Sequence, residues 1–151
     1  MKYRCRHKEG FTIIELTIVM IVIAAILSAV LFAGQSTTDA SRVTSALASV
    51  KSLQTAAVSF YNNNGGSYSG LSLSTLASGG YLPANFTSGT NQNPWKGNIT
   101  VAPDSSNANY FDITFTNVPS SAATSLTAAV TKIAQSAPAY TASSQTWTAA
   151  F

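Results

Sequence analysis

An uninterrupted apolar stretch near the start of the chain constrains the fold more than any other feature. Residues 11–33 are apolar except for Thr12, Glu15, Thr17 and Ser28, and they include neither Pro nor Gly. These 23 residues are close to the ~20 that cross a bilayer as a helix, and they exceed the about 7–15 apolar residues of a cleaved secretory signal. We therefore predict a transmembrane helix that the mature protein retains.

The pattern becomes one-sided after Gly34. Apolar residues then recur every three or four positions, the spacing of one face of an amphipathic helix; they are Val43, Leu47, Val50, Leu53, Ala57, Phe60 and Tyr61. Because no Pro separates the two patterns, we predict one helix from about Phe11 to about Tyr61, roughly 75 Å long at 1.5 Å per residue. Only its amphipathic half is expected to pack in a small head, and Asn-Asn-Asn-Gly-Gly at 62–66 is expected to end it.

The remaining residues predict an α+β fold, in which the long N-terminal helix packs against a small antiparallel β-sheet with additional short helices. Leucines between 71 and 76 indicate a short helix capped by Ser74 and ended by Gly79-Gly80. Alternating apolar residues at 99–101 and 110–118 predict two strands that pair as a hairpin.

The C-terminal segment predicts one more helix and one more strand. Helical spacing after Pro119 runs to Ile133, with Ser120 or Ser121 placed to cap the helix. The tail then alternates through Tyr140 and Ala142 and later through Trp147, Ala149 and Phe151. This alternation predicts a single final strand.

The net charge is concentrated at the N-terminus. The first ten residues contain Lys2, Arg4, Arg6 and Lys8 against Glu9, and this difference equals the +3 of the whole chain. A basic segment before an apolar helix stays on the cytoplasmic side of a membrane, so the rest of the chain is expected to face outward. The basic composition therefore gives no indication of nucleic-acid binding.

The junction between these segments reads Lys-Glu-Gly-Phe-Thr-Ile-Ile-Glu-Leu at residues 8–16. It resembles the type IV pilin family, whose precursors carry a short basic leader, this type of junction and an apolar helix. The resemblance implies that a prepilin peptidase of the inner membrane cuts after Gly10 and that the new amino group of Phe11 is N-methylated. Taken alone, Gly10 could also be a flexible joint before the helix.

Glu15 is an ionisable residue within the apolar stretch, where a carboxylate costs several kcal/mol unless it is paired or neutralised. The resemblance implies that it pairs with the Phe11 amine of a neighbouring subunit during filament assembly. The alternative for an unassembled subunit is that Glu15 reaches the headgroup level of the bilayer.

Later segments support the same family and its type IVb branch. Residues 80–83 and 93–98 are similar to pilin loops, and residues 118–123 resemble the point at which a type IVb helix follows. Many type IVa pilins have Gly and Pro in the anchor where this chain has Ala24 and Phe32. Since Cys5 is the only cysteine, Trp147 and Phe151 are expected to hold the C-terminal segment by packing.

No enzyme signature is present in the sequence. The one histidine, His7, lies in the leader, and Asp104 and Asp112 are too few and too far apart in sequence to predict the calcium site of major type II secretion pseudopilins. No catalytic residue, cofactor or metal is predicted.

We therefore predict a cleaved leader at 1–10, a transmembrane and filament-core helix half at 11–33, and an extracytoplasmic head at 34–151. The precursor is expected as a single-pass inner-membrane protein and the product as a homo-oligomeric extracellular pilus used in adhesion, motility or DNA uptake. The expected partners are the prepilin peptidase/N-methyltransferase and the pilus assembly machinery. A type II secretion pseudopilin or a minor pilin is the alternative, and a singly anchored periplasmic enzyme or binding module is disfavoured.

Overall fold

The fold contains three helices and four strands in the described part of the chain, which confirms the α+β prediction. This computed structural model describes residues 13–83, 86, 89–90, 92–107 and 109–151, without the side chains of 27–37. The helices are α1 (Ile13–Asn63), α2 (Leu73–Ser78) and α3 (Ser120–Val130). The strands are β1 (Ile99–Pro103), β2 (Phe111–Phe115), β3 (Ala139–Thr141) and β4 (Thr146–Ala150).

The chain divides into two compact units, residues 1–38 and residues 39–151. The first contains the beginning of α1, and the second is the head, which contains the rest of α1 and every other element. The division falls inside α1, five residues after the boundary that the sequence predicted at 33/34.

The long helix is confirmed over its described residues and ends two residues later than predicted. Its end follows the expected Asn-Gly chemistry, because Gly65 and Gly66 have φ of 68° and 77°, which glycine adopts without steric cost. The Gly66 N–H donates to the Tyr61 carbonyl at 3.0 Å. This bond satisfies one of the carbonyls that a helix end leaves open.

The sheet is fully antiparallel, with the order β1-β2-β4-β3. The predicted hairpin of β1 and β2 is confirmed. The single final strand was wrong, because the tail forms two strands joined by a turn in which Gln145 has a φ of 50°. As a result β4, the last strand in the sequence, lies between β2 and β3.

The core lies between the Asp39–Asn63 part of α1 and the inner face of the sheet. The predicted helix face is confirmed: Val50, Leu53 and Ala57 have no solvent exposure, while Val43, Leu47, Phe60 and Tyr61 pack partly buried around them. Ala46 and Ala56 also belong to this face. The sequence prediction did not include these two alanines. The inner face of the sheet supplies Ile99, Val101, Phe111, Ile113, Phe115, Trp147 and Ala149, and helices α2 and α3 add Leu73, Leu76, Ala122, Ala123, Leu126 and Val130.

Two predicted helix caps were wrong. Helix α2 is capped by Ser72, not Ser74, and Ser72 and Thr75 bond each other's backbone N–H in a capping box. Helix α3 follows Pro119 without any side-chain cap, so Ser120 is already its first helical residue. It ends at Val130, so Ile133 lies outside it and is 38% exposed.

The C-terminal segment is held by aromatic packing, as predicted. The Trp147 side chain is fully buried against Phe115, with ring centroids 5.8 Å apart, and Phe151 stacks on Phe111 at 5.7 Å. The Trp147 indole N–H also donates to the Thr127 hydroxyl at 3.0 Å. This bond ties β4 to α3 within the head.

Candidate functional site

The apolar side chains at the beginning of α1 are exposed around its whole circumference. Every residue from Ile13 to Ile26 is exposed, and the large apolar side chains range from 84% at Ile13 to 46% at Ile23. Successive helical residues turn by about 100°, so fourteen consecutive positions present apolar groups in every direction. A helix that is apolar all round is normally buried, in a protein core or a membrane.

Glu15 lies in the first turn of α1 as described and is exposed there. A carboxylate at this position interacts favourably with the partial positive charge of a helix N-terminus. The neighbouring polar side chain, Thr17, satisfies its hydroxyl internally by donating to the Ile14 carbonyl at 2.8 Å. Glu15 is thus the only described charged group between Ile13 and Ile26.

The other two predicted site residues, Gly10 and Phe11, lie outside the described residues. Across the side chains that the structure describes, no helical segment has the length and hydropathy that crossing a membrane requires.

The similarity of the head to known proteins decides its family. Residues 35–148 match the family model described as Bundlin. The chain belongs to the bundlin family. A second match, to the prokaryotic N-terminal methylation motif, covers residues 5–31. Together these matches confirm the resemblance to type IV pilins and its type IVb character.

Two curated relatives of this bundlin-family chain are named the major structural subunit of bundle-forming pilus, from Escherichia coli O127:H6 (strain E2348/69 / EPEC) and O111:H-. Each is 29% identical over 125 residues, which cover 80% of this chain. The match spans 64% of the length of each relative. No solved structure matches the chain significantly.

The bundlin-family head contains a buried polar centre that the sequence did not predict. Asn93 is 4% exposed, and its Oδ1 accepts from the backbone N–H groups of Trp95 and Gly97 at 2.9 and 2.8 Å. Its Nδ2 donates to the Thr116 carbonyl at 2.6 Å. The residue therefore joins the 93–97 loop to the end of β2. In the sequence, this buried role of Asn93 was indicated only by the similarity of residues 93–98, Asn-Pro-Trp-Lys-Gly-Asn, to a pilin loop.

The two aspartates that are distant in sequence are neighbours in the fold. The β1–β2 hairpin places Asp112 opposite Ala102, two residues before Asp104. Burial raises the pKa of the Asp112 carboxyl above 3.8, and the negative charge of Asp104 raises this pKa further. The described residues form no group of three acidic, histidine or cysteine side chains that could hold a metal ion.

Proposed function

We propose that this chain is a pilin, a structural subunit that assembles through the N-terminal half of α1 into an extracellular type IV pilus. The observation that carries the proposal is the all-round exposure of the apolar side chains from Ile13 to Ile26. A surface of this kind needs to be covered, first by lipid and then by the same helix of other copies. Membership of the bundlin family and the name of the curated relatives support this reading.

Processing comes before assembly in this proposal. A prepilin peptidase of the inner membrane removes residues 1–10 after Gly10 and N-methylates the new amino group of Phe11. The match of residues 5–31 to the methylation motif supports this step. Before cleavage the precursor is a single-pass protein with its N-terminus in the cytoplasm, and the basic leader sets that orientation.

Glu15 supplies the register of the filament. Within an apolar bundle its carboxylate is costly unless a cation neutralises it, and cleavage creates such a cation at the Phe11 amine. Pairing between neighbouring copies then favours one axial offset over the others. The assembly machinery of the inner membrane is the expected partner, and the chain itself performs no catalysis.

The Glu15→Ala substitution tests this function. We expect the variant to be cleaved and inserted normally while the yield of sheared extracellular filaments falls more than about tenfold, because an unpaired buried amine costs more than about 1.4 kcal/mol. Mass spectrometry of the sheared fibres measures both the yield and the methylated N-terminus at Phe11.

Asp39→Ala is the matched control, since it removes an exposed acid of α1 whose only described ion pair is with Arg42 at 3.9 Å. It should leave the filament yield within about two-fold, because surface pairs contribute about 0–1 kcal/mol. Normal filaments from Glu15→Ala would contradict the role of Glu15. A wild-type chain that is retained in the envelope and absent from sheared fibres would contradict the proposed function itself.

A further inference from the structure

The dipeptide Asn64-Gly65 follows directly after α1 and is the one Asn-Gly pair in the sequence. Both residues are exposed to solvent. Asparagine is a chemically labile residue, because the backbone nitrogen of the next residue can attack its side-chain amide. Glycine at that next position has no side chain to hinder the attack. The sequence therefore contains one position at which spontaneous loss of the amide is favoured.

The backbone around Gly65 leaves the attacking nitrogen available. Gly65 has a φ of 68°, and no atom lies within 4 Å of the position that a Cβ would take there. The preceding N–H, of Asn64, donates to the Phe60 carbonyl at 2.8 Å, and the following N–H, of Gly66, donates to the Tyr61 carbonyl at 3.0 Å. Among the described residues, the Gly65 N–H itself has no acceptor. The nitrogen is thus open to solvent and not engaged in a hydrogen bond.

The side chain of Asn64 anchors the loop that follows. Its Nδ2 donates to the Ser67 carbonyl at 3.0 Å and to the Ser69 carbonyl at 3.1 Å. Between these two carbonyls lies Tyr68, which is 7% exposed and whose ring centroid is 4.9 Å from that of Phe111. The two hydrogens of one amide therefore hold the loop segment that inserts Tyr68 into the core.

We propose that Asn64 is a site of spontaneous deamidation, at which loss of the amide releases the 64–70 loop from the end of α1. The Gly65 nitrogen attacks the Asn64 Cγ, so that an N–Cγ bond forms and the Cγ–Nδ2 bond breaks. The amide nitrogen leaves as ammonia with the proton of the Gly65 nitrogen. Water then opens the cyclic imide at either carbonyl and gives aspartate or isoaspartate. No oxidation or reduction takes place, and solvent water is the only co-reactant.

Either product removes the anchor. An ionised carboxylate has no hydrogen to donate, so its oxygens face the Ser67 and Ser69 carbonyls and a repulsive contact replaces two hydrogen bonds. Isoaspartate also adds a methylene group to the backbone, next to the bond from Gly66 to the Tyr61 carbonyl that closes the helix end. Hydrolysis does not restore the amide. The released form therefore accumulates with the age of the subunit.

The anchor also sets the rate of the reaction. Attack requires the Asn64 side chain to turn towards the Gly65 nitrogen, and the two bonds to the loop carbonyls oppose this rotation. Bonds in an exposed loop open more often than those of the core. We expect the fold to slow the reaction about tenfold relative to the unfolded chain, equivalent to about 1.4 kcal/mol of activation free energy. The fold thus delays deamidation without preventing it.

Peptide-mapping mass spectrometry of the detergent-solubilised full-length chain, aged at mildly alkaline pH, tests the site. Asn62 and Asn63 are matched internal controls, because both are exposed at the end of α1 and each is followed by asparagine. We expect Asn64 to deamidate at least about tenfold faster than either control, and denaturant to raise its rate by about another tenfold. An Asn64 rate no higher than that of the controls would overturn the proposal. A rate that denaturant leaves unchanged would overturn the protective role of the anchor.

The Asn64→Asp substitution supplies one product directly and tests the released loop. Chymotrypsin cleavage after Tyr68, followed by mass spectrometry, should be about tenfold faster in this variant than in the wild-type chain, because the loop opens more often. Asn62→Asp makes the same change at another exposed position of α1 and should leave this cleavage rate within about two-fold. Equal cleavage of Asn64→Asp and wild type, or equal acceleration in Asn62→Asp, would overturn the inference that the amide holds the loop.

Discussion

At the scale of single residues, the Asn93 side-chain amide is a buried polar group that joins the 93–97 loop to the end of β2. It satisfies two backbone donors and two carbonyls at once, the Asn98 carbonyl at 3.5 Å being the fourth partner. Gly97 is equally specific, since a Cβ there would lie 1.9 Å from the Thr116 carbonyl oxygen. Close approach of the loop to β2 therefore requires both the amide and the glycine.

Asn93→Ala is expected to destabilise the head by about 3 kcal/mol, because it leaves buried N–H groups and a carbonyl without partners. Thermal unfolding of the detergent-solubilised full chain, followed by near-UV circular dichroism, measures the change. Asn62→Ala, at an exposed asparagine of α1, should change stability by less than about 0.5 kcal/mol. Equal effects of the two substitutions would show that the Asn93 amide contributes nothing specific.

Asp112 predicts a pH dependence of stability. Its pKa is higher in the folded chain than the ordinary 3.8, so the native state binds this proton more tightly than the unfolded state. The contribution of Asp112 to stability is complete below pH 3.8 and is lost as the pH rises through the folded pKa.

Asp112→Asn should therefore stabilise the isolated subunit at neutral pH by less than about 1 kcal/mol, with no gain at pH 3. Denaturant unfolding of the full chain at the two pH values measures this difference. Asp39→Asn, in an exposed ion pair, should show no gain at neutral pH. A gain for Asp112→Asn that persists at pH 3 would contradict the electrostatic explanation.

At the scale of elements, the three helices begin or end with different backbone and side-chain arrangements at their termini. Helix α1 ends through two glycines with positive φ, α2 begins with a capping box, and α3 begins after a proline with no side-chain cap. Sequence spacing predicted all three helices but misplaced both caps. A serine next to the correct one has the same local propensity, and only the backbone conformation at Ser72, with φ of −155°, distinguishes them.

Ser72→Ala should destabilise the head by about 1 kcal/mol, since the Thr75 N–H loses its acceptor at the start of α2. Ser74→Ala is the control, and it should cost less than about 0.5 kcal/mol because the backbone bonds of the capping box remain. Urea midpoints of the two variants at constant m-value give the comparison. A larger loss of stability in Ser74→Ala than in Ser72→Ala would show that Ser74 caps α2, as the sequence predicted.

At the scale of the whole molecule, the order of the sheet makes the head depend on its last residues. Strand β4 pairs with both β2 and β3, and the fully buried Trp147 projects from it into the core. Removing residues 139–151 would expose an inner edge of β2 and leave a large cavity in the core. Because the loss of a large buried side chain alone costs about 3–5 kcal/mol, the two costs together are comparable with the whole stability of a domain, about 5–15 kcal/mol.

We expect the chain truncated after Pro138 to lose the protease resistance of its head in isolated membranes. Ser143→Ala, at an exposed position in the β3–β4 turn, should keep it. Limited proteolysis with immunodetection of the 39–151 fragment reads out both variants. A protease-resistant head in the truncated chain would mean that β1, β2 and the helices suffice for the core.

The sequence alone determined the features that depend on neighbouring residues. The continuous apolar stretch and the helical periodicity that follows it predicted the long α1, the periodicity predicted its buried face, and alternation predicted β1 and β2. The junction at residues 8–16 indicated the family. Each of these signals is repeated over several residues of one segment, so a local rule detects it.

The tertiary structure decided what depends on distant residues. It placed β4 between β2 and β3, brought Asp104 and Asp112 together, and completed the bonds of Asn93 with Thr116. Strand order and side-chain pairing across the sheet follow from long-range packing of the core, in which Trp147 and Phe115 must meet. Contacts between residues far apart in the sequence leave no local sequence pattern from which they could be predicted.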